Sequence, residues 1–204
     1  MIDFDERAKD WDSDPKRAQR ARAVAEGIQA GVPLDPNMTA FEYGCGTGLL
    51  SFALQPLLAH ITLADSSTGM LAVLEEKIAA SGIRNMTPMK LDLATDALPQ
   101  ARFDLIYTLM TVHHVADTDN LLRAFFALLN KPGFLCVADL DQEDGSFHGP
   151  DFPGHKGFNR NELSERAERA GFVKCTFTSV FQMTKHVNGS DKEFPMFLLV
   201  AEKR

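Results

Sequence analysis

The chain has 204 residues, 45% of them hydrophobic and 24% charged, with a formal net charge of -7 and a mean hydropathy of -0.14. That suffices for one domain with a sizeable core, and the acidic balance argues against broad binding to nucleic acid or an anionic membrane, which want a basic face. No apolar run reaches the ~18 residues of a membrane helix, the acidic start over residues 1–6 is unlike a signal peptide, and Cys45, Cys136 and Cys175 lack any Cys-x-x-Cys spacing. The expectation is a cytoplasmic protein without disulfides or a zinc site.

Residues 3–14 mix acids with Arg7 and Lys9 around the single Trp11. They read as a charged arm whose tryptophan docks on the body. Residues 15–30 suit a helix, with Asp14 as its cap, Pro15 in the first turn, and Ala18, Ala21, Val24, Ala25 and Ile28 on one face. A strand over 38–43 then runs into Gly44-Cys45-Gly46-Thr47-Gly48, and a helix follows over 49–58. Three glycines at alternate positions suit a strand-to-helix turn that bends sharply and lies close to a ligand. The free amides at the start of the helix point back at that turn.

The spacing excludes two familiar phosphate loops. A dinucleotide fingerprint needs its third glycine at 49, which is Leu49, and a Walker loop needs a lysine that 41–69 lacks. The next strand, 60–64, ends at Asp65, 17 residues past Gly48, where a βαβ unit returns to the carboxyl edge of its sheet. Asp65 can receive both hydroxyls of a ribose, or it can cap the helix expected over 70–80. A strand over 86–91 leads to Asp92 and Leu93, and a fourth over 103–107 leads to a segment, 108–115, that leaves the sheet. Then come a helix over 117–129, a turn at 130–133, a strand over 134–138, a loop over 145–157 and a helix over 159–170. Two last strands, 173–185 and 194–203, are joined at Asn188-Gly189, a strong hairpin signal. Alternating strands and helices predict a doubly wound α/β sheet, and the closing hairpin requires one antiparallel strand.

The pattern Glu42-x-Gly44-x-Gly46-x-Gly48, with Asp65 and Asp92 behind it, resembles class I S-adenosylmethionine-dependent methyltransferases. The likeness is to the small-molecule type that includes ubiquinone/menaquinone-biosynthesis enzymes. It implies a Rossmann-like seven-stranded sheet of order 3-2-1-4-5-7-6 with strand 7 antiparallel. It also implies one domain over 1–204, with 1–31 as arm, helix and lid and 38–204 as core. The residues implied to contact S-adenosylmethionine are Trp11, Glu42, Gly44, Cys45, Gly46, Gly48, Asp65, Ser66, Met70, Asp92, Leu93, Thr108 and Leu109. In the family, the acid at Asp65 holds the ribose, the acid at Asp92 the adenine amino group, and the backbone amide at Leu93 a ring nitrogen. The activity implied is in-line methyl transfer to a small-molecule acceptor. Methyltransferases of nucleic-acid bases carry an Asn/Asp-Pro-Pro-aromatic tetrad where this chain has Thr108-Leu109-Met110-Thr111, so no nucleic-acid partner is expected.

His113, His114, Asp139, Asp141, His148 and His155 fall on the predicted active edge, and His113 and His114 are the catalytic candidates. A base is needed only if the acceptor arrives protonated. Adjacent histidines cannot share one face of a regular element, and His148 and His155 lie in a loop, so no metal is expected. Two alternatives stand beside methyl transfer. One is a protein that binds S-adenosylmethionine without turnover; the other is a nicotinamide-dependent oxidoreductase, disfavoured by Leu49 and by the lack of Tyr-x-x-x-Lys.

Overall fold

The computed structural model describes residues 4–204. Seven strands form one sheet of order β3-β2-β1-β4-β5-β7-β6. These are β1 (Thr39–Tyr43), β2 (His60–Asp65), β3 (Met86–Lys90), β4 (Phe103–Leu109), β5 (Leu129–Leu140), β6 (Val173–Val187) and β7 (Ser190–Lys203). The first five pair in parallel, and β7 runs antiparallel to both β5 and β6. The expected order and the reversed seventh strand are both present.

The central strands are apolar on both faces because both are covered. Phe41, Ile106, Leu135, Val137, Phe197 and Leu199 join one core with Leu121, Phe125 and Leu128 of α5 (Thr118–Leu128) and Leu163 and Ala167 of α6 (Arg160–Ala170). Their neighbours Ala40, Leu105, Tyr107, Cys136, Ala138 and Leu198 point the other way. There they meet α2 (Pro15–Gly31), α3 (Leu49–Leu54) and α4 (Thr68–Ser81). Asp14 caps α2 by accepting from the Lys16 amide at 3.0 Å, and Ser67 caps α4 by accepting from Met70 at 3.1 Å.

Three expectations change in detail. The helix after the glycine turn stops at Leu54 and tightens into a 3-10 turn over Gln55–Leu57, because Pro56 has no amide for the α-helical ladder. The turn expected at 130–133 lies inside β5. Phe103 pairs with Leu129 and Leu105 with Phe134, so the turn-forming residues are absorbed as a bulge. The hairpin strands also run further than expected, closing directly on Asn188 and Gly189 at φ 51° and 83°. The arm is ordered as a short helix α1 (Phe4–Arg7) and a 3-10 turn over Trp11–Ser13. Among the described residues no helix is long and apolar enough to cross a membrane.

Candidate active site

The strand order reverses beside β1, and a cavity of about 590 Å³ opens there at the carboxyl ends of the strands. Its floor is the glycine turn. Gly44 and Cys45 both donate to the Ala64 carbonyl, at 2.8 and 3.0 Å, which folds the turn over β2. Gly44, Gly46 and Gly48 all have left-handed φ. A side chain on Gly44 would collide with Thr111, whereas one on Gly46 would project into the cavity, 3.8 Å from Trp11 Nε1 and 3.9 Å from Met70 Sδ.

Acidic groups gather at this end. Asp65 accepts from the Gly46 amide at 2.7 Å and from the Ser67 amide at 2.9 Å, so its carboxylate joins the glycine turn to the cap residue of α4. Burial raises its pKa. Asp92 accepts from the Ala94 amide at 2.9 Å and from the Tyr43 hydroxyl at 3.5 Å. Glu42 is 2% exposed and receives the Ser51 hydroxyl. Burial above all pushes its pKa up to about 8, leaving it neutral at pH 7.

Histidines gather at the other end. His113 and His114 lie in a 3-10 turn, Val112–His114, and both line the cavity. The rule against adjacent residues sharing a face does not govern so short and irregular a turn. Asp139, fully buried at the end of β5, accepts from the His113 amide at 3.1 Å and meets its Nδ1 at 2.6 Å. His113 Nε2 stands 3.0 Å from Nε2 of His148. The 145–157 loop that carries His148 is fastened to this turn. His155 donates its amide to the His113 carbonyl at 2.7 Å, and its ring reaches Thr118 at 3.1 Å and the Val115 carbonyl at 3.0 Å. Burial, and then the neighbouring His113, pulls His114 and His148 down to about 4.

Of the residues singled out from sequence, Trp11, Glu42, Gly44, Cys45, Gly46, Asp65, Ser66, Met70, Asp92, Leu109, His113 and His114 line this cavity. Gly48, Leu93 and Thr108 do not. Gly48 is the left-handed residue that starts α3, Leu93 packs into the core, and the Thr108 hydroxyl is buried without a hydrogen bond. His155 and Asp141 hold structure instead, Asp141 through a paired contact with Arg160 at 2.7 Å for each oxygen. Sequence reading passed over Arg17, Arg20, Thr111 and Lys185, which also line the cavity, as does Phe4 of the arm. Arg20 lies amid the solvent-facing charges of its helix in sequence, so only the packing of β6 reveals it. Its Nη1 meets Met183 Sδ at 3.1 Å, and its Nε is buried without a hydrogen-bond partner.

The family described as Methyltransferase domain matches residues 17–177. An uncharacterized methyltransferase of Schizosaccharomyces pombe is 31% identical over 119 residues, covering 55% of this chain and 42% of its own. A ubiquinone biosynthesis O-methyltransferase of Caulobacter vibrioides is 32% identical over 129 residues, covering 60% of this chain and 50% of its own. The chain thus spans about half the length of the curated relatives it matches. The crystal structure of an S-adenosylmethionine-dependent methyltransferase from Aquifex aeolicus superimposes with a TM-score of 0.72, at 18% identity and over 100% of both chains. Glycine turn, acidic partners, strand order and family match agree, and the chain belongs to the class I S-adenosylmethionine-dependent methyltransferase family.

Proposed function

We propose that the protein binds S-adenosylmethionine along the glycine turn and directs its methyl group to a small-molecule acceptor at the histidine end of the cavity. The observation that carries this reading is the pairing of Asp65 with Gly46. A carboxylate is held by one amide of the turn and one at the cap of α4, beside a glycine whose missing side chain leaves room between Trp11 and Met70. That cradle and its acidic rim fit a cationic adenosine derivative.

In this reading Asp65 receives the ribose hydroxyls, while Asp92 and the Leu93 amide meet the adenine. Gly44, Cys45, Gly46, Ser66 and Met70 form the surface beneath the donor. Trp11 covers it, Gly48 shapes the turn, and Glu42 and Leu109 bound the side towards β4, next to the buried Thr108. When bound, the donor supplies a methyl group already activated by its sulfonium. The chain's own task is then to place the acceptor in line and keep water out. His113 and His114 are assigned to the acceptor's reacting atom, and the arm and the 145–157 loop close the space around it. We read 1–204 as one methyltransferase domain in a cytoplasmic protein, with 1–31 as the lid, whose first three residues lie outside the described region, and 38–204 as the core. A cavity of 590 Å³ under an ordered arm favours a small acceptor over a nucleic acid or a membrane surface.

Calorimetry tests the reading. Micromolar binding of S-adenosylmethionine and S-adenosylhomocysteine, without binding of NADH, is the expected result. Binding of NADH alone would overturn it. Asp65→Ala is expected to weaken S-adenosylhomocysteine binding at least tenfold, and unchanged affinity would return Asp65 to a purely structural role.

A further inference from the structure

Three imidazoles converge at the acceptor end, and hydrogen bonds among them account for only one contact. One ring nitrogen from each of His113, His114 and His148 lies within 4.8 Å of the others. The His113 and His148 nitrogens are 3.0 Å apart. The His114 ring has no hydrogen-bond partner among the described residues and is held by ring contacts alone, edge-on against Phe4 and Phe152. Metal–imidazole bonds of about 2.0–2.1 Å place ligand nitrogens roughly 3.4 Å apart around a tetrahedral ion. One pair is already close to that spacing, and the third nitrogen lies within 4.8 Å of both.

We propose that His113, His114 and His148 hold one divalent transition-metal ion, of the zinc, iron(II) or cobalt(II) kind, with its remaining positions open to the cavity. Asp139 supplies the outer partner that such sites use. By accepting from His113 Nδ1 at 2.6 Å it fixes the ring and leaves Nε2 for the ion. Asp139 is itself locked by the His113 amide at 3.1 Å and the Leu140 amide at 2.8 Å. His148 is placed in advance, because the next part of its loop is bound to the turn that carries the other two ligands. Its ring stacks on Phe152 with centroids 4.0 Å apart, which limits water around the ion. Arg20 and Lys185 line the same cavity. Their charge opposes a bare dication, so Asp139 and an anionic oxygen on the open positions complete the balance.

The inference does not rest on the methyl-transfer reading, since the histidines would hold an ion whatever the acceptor, and with the ion in place they would act on the acceptor through the ion's open positions. The test uses the full chain after treatment with a chelator. Co2+ is titrated by visible absorption and Zn2+ by calorimetry. The expected result is one equivalent of either ion, with ligand-field bands for Co2+. His114→Ala and His148→Ala should each weaken binding by about 100-fold or more. His113→Ala is avoided because it would leave Asp139 buried without its ring partner. S-adenosylhomocysteine binding, measured on the same samples, reports whether each variant keeps its cavity. Its absence from the parent protein would count against the methyl-donor reading and leave the metal result standing. No binding of Co2+, Zn2+ or Fe2+ by the parent, or binding unchanged in both variants, would overturn the site.

Discussion

At the scale of single residues, Glu42 shows what burial does to an acid. It lies near the end of β1 with 2% exposure, receiving hydrogen bonds from Ser51, and its pKa rises from 4.5 to about 8. The folded state therefore binds a proton that the unfolded chain releases near pH 4.5. Its contribution is complete below that pH and is lost as pH rises towards 8, by up to about 1.4 kcal/mol per pH unit. Denaturant unfolding of the protein across pH 5 to 8, compared with Glu42→Gln, should show the parent losing stability more steeply. Equal slopes would mean that Glu42 is ionised in the fold. Gly46 carries a second prediction. Its φ is 54°, and a Cβ at this position would point straight into the cavity. Gly46→Val should therefore cost about 1 kcal/mol of stability from left-handed strain. It should also abolish measurable S-adenosylhomocysteine binding, and an intact binding isotherm would remove the turn from the donor site. Both residues were legible in the sequence, because a glycine ladder after an apolar strand has few other uses. Arg20 was not, since nothing in its own helix distinguishes a solvated arginine from one turned into a cavity.

At the scale of elements, the arm has two fastenings, one at the start of α4 and one between the glycine turn and the later part of α4. Asp5 accepts from the Ser67 hydroxyl at 2.5 Å and the Gly69 amide at 2.7 Å, at the start of α4. Asp12 accepts from the Thr47 hydroxyl at 2.5 Å and Lys77 at 2.6 Å. Between them Phe4 packs edge-on against His114 with centroids 5.5 Å apart, and Arg17 stacks over Trp11 at 3.9 Å. These contacts lie largely at the surface, where such a pair is worth about 1 kcal/mol or less. Asp12→Ala should therefore leave the melting temperature within about 2 °C. It should weaken S-adenosylhomocysteine binding by roughly fivefold, mainly through faster release, and open the arm to limited proteolysis. An unchanged dissociation rate in stopped flow would show that the arm is not a lid. The sequence located this arm and its tryptophan but not the fastenings, which pair residues 35 to 65 positions apart. The bulge in β5 escaped for a related reason. A run such as Asn130-Lys131-Pro132-Gly133 signals a turn, and only the pairing of Phe103 with Leu129 draws it into the strand.

At the scale of the whole molecule, the doubly wound class and the reversed strand were readable because α/β alternation and a terminal hairpin leave few arrangements, whereas the strand order followed from the family resemblance. The cavity was only half readable. Its donor end is built from short motifs at fixed offsets from the strands, whereas its acceptor end draws on α2, β6 and a long loop whose approach no local pattern announces. The finished cavity is lined by residues from Phe4 to Lys185, so a ligand filling it would tie the arm, the glycine turn, the segment after β3, the histidine turn and β6 together. Binding to the folded state alone stabilises it by about 2.7 kcal/mol at a hundredfold excess over Kd. For a chain of this size that corresponds to a rise of roughly 5–10 °C in Tm. S-adenosylhomocysteine at that excess should shift the melting of the parent by this amount as a single transition, because the elements it joins span both faces of the sheet. At the same concentration Asp65→Ala should show a rise smaller by about 1.4 kcal/mol, the equivalent of its tenfold loss in affinity. A shift confined to one phase of a two-step melt would place the ligand on the glycine turn alone, without the arm and β6.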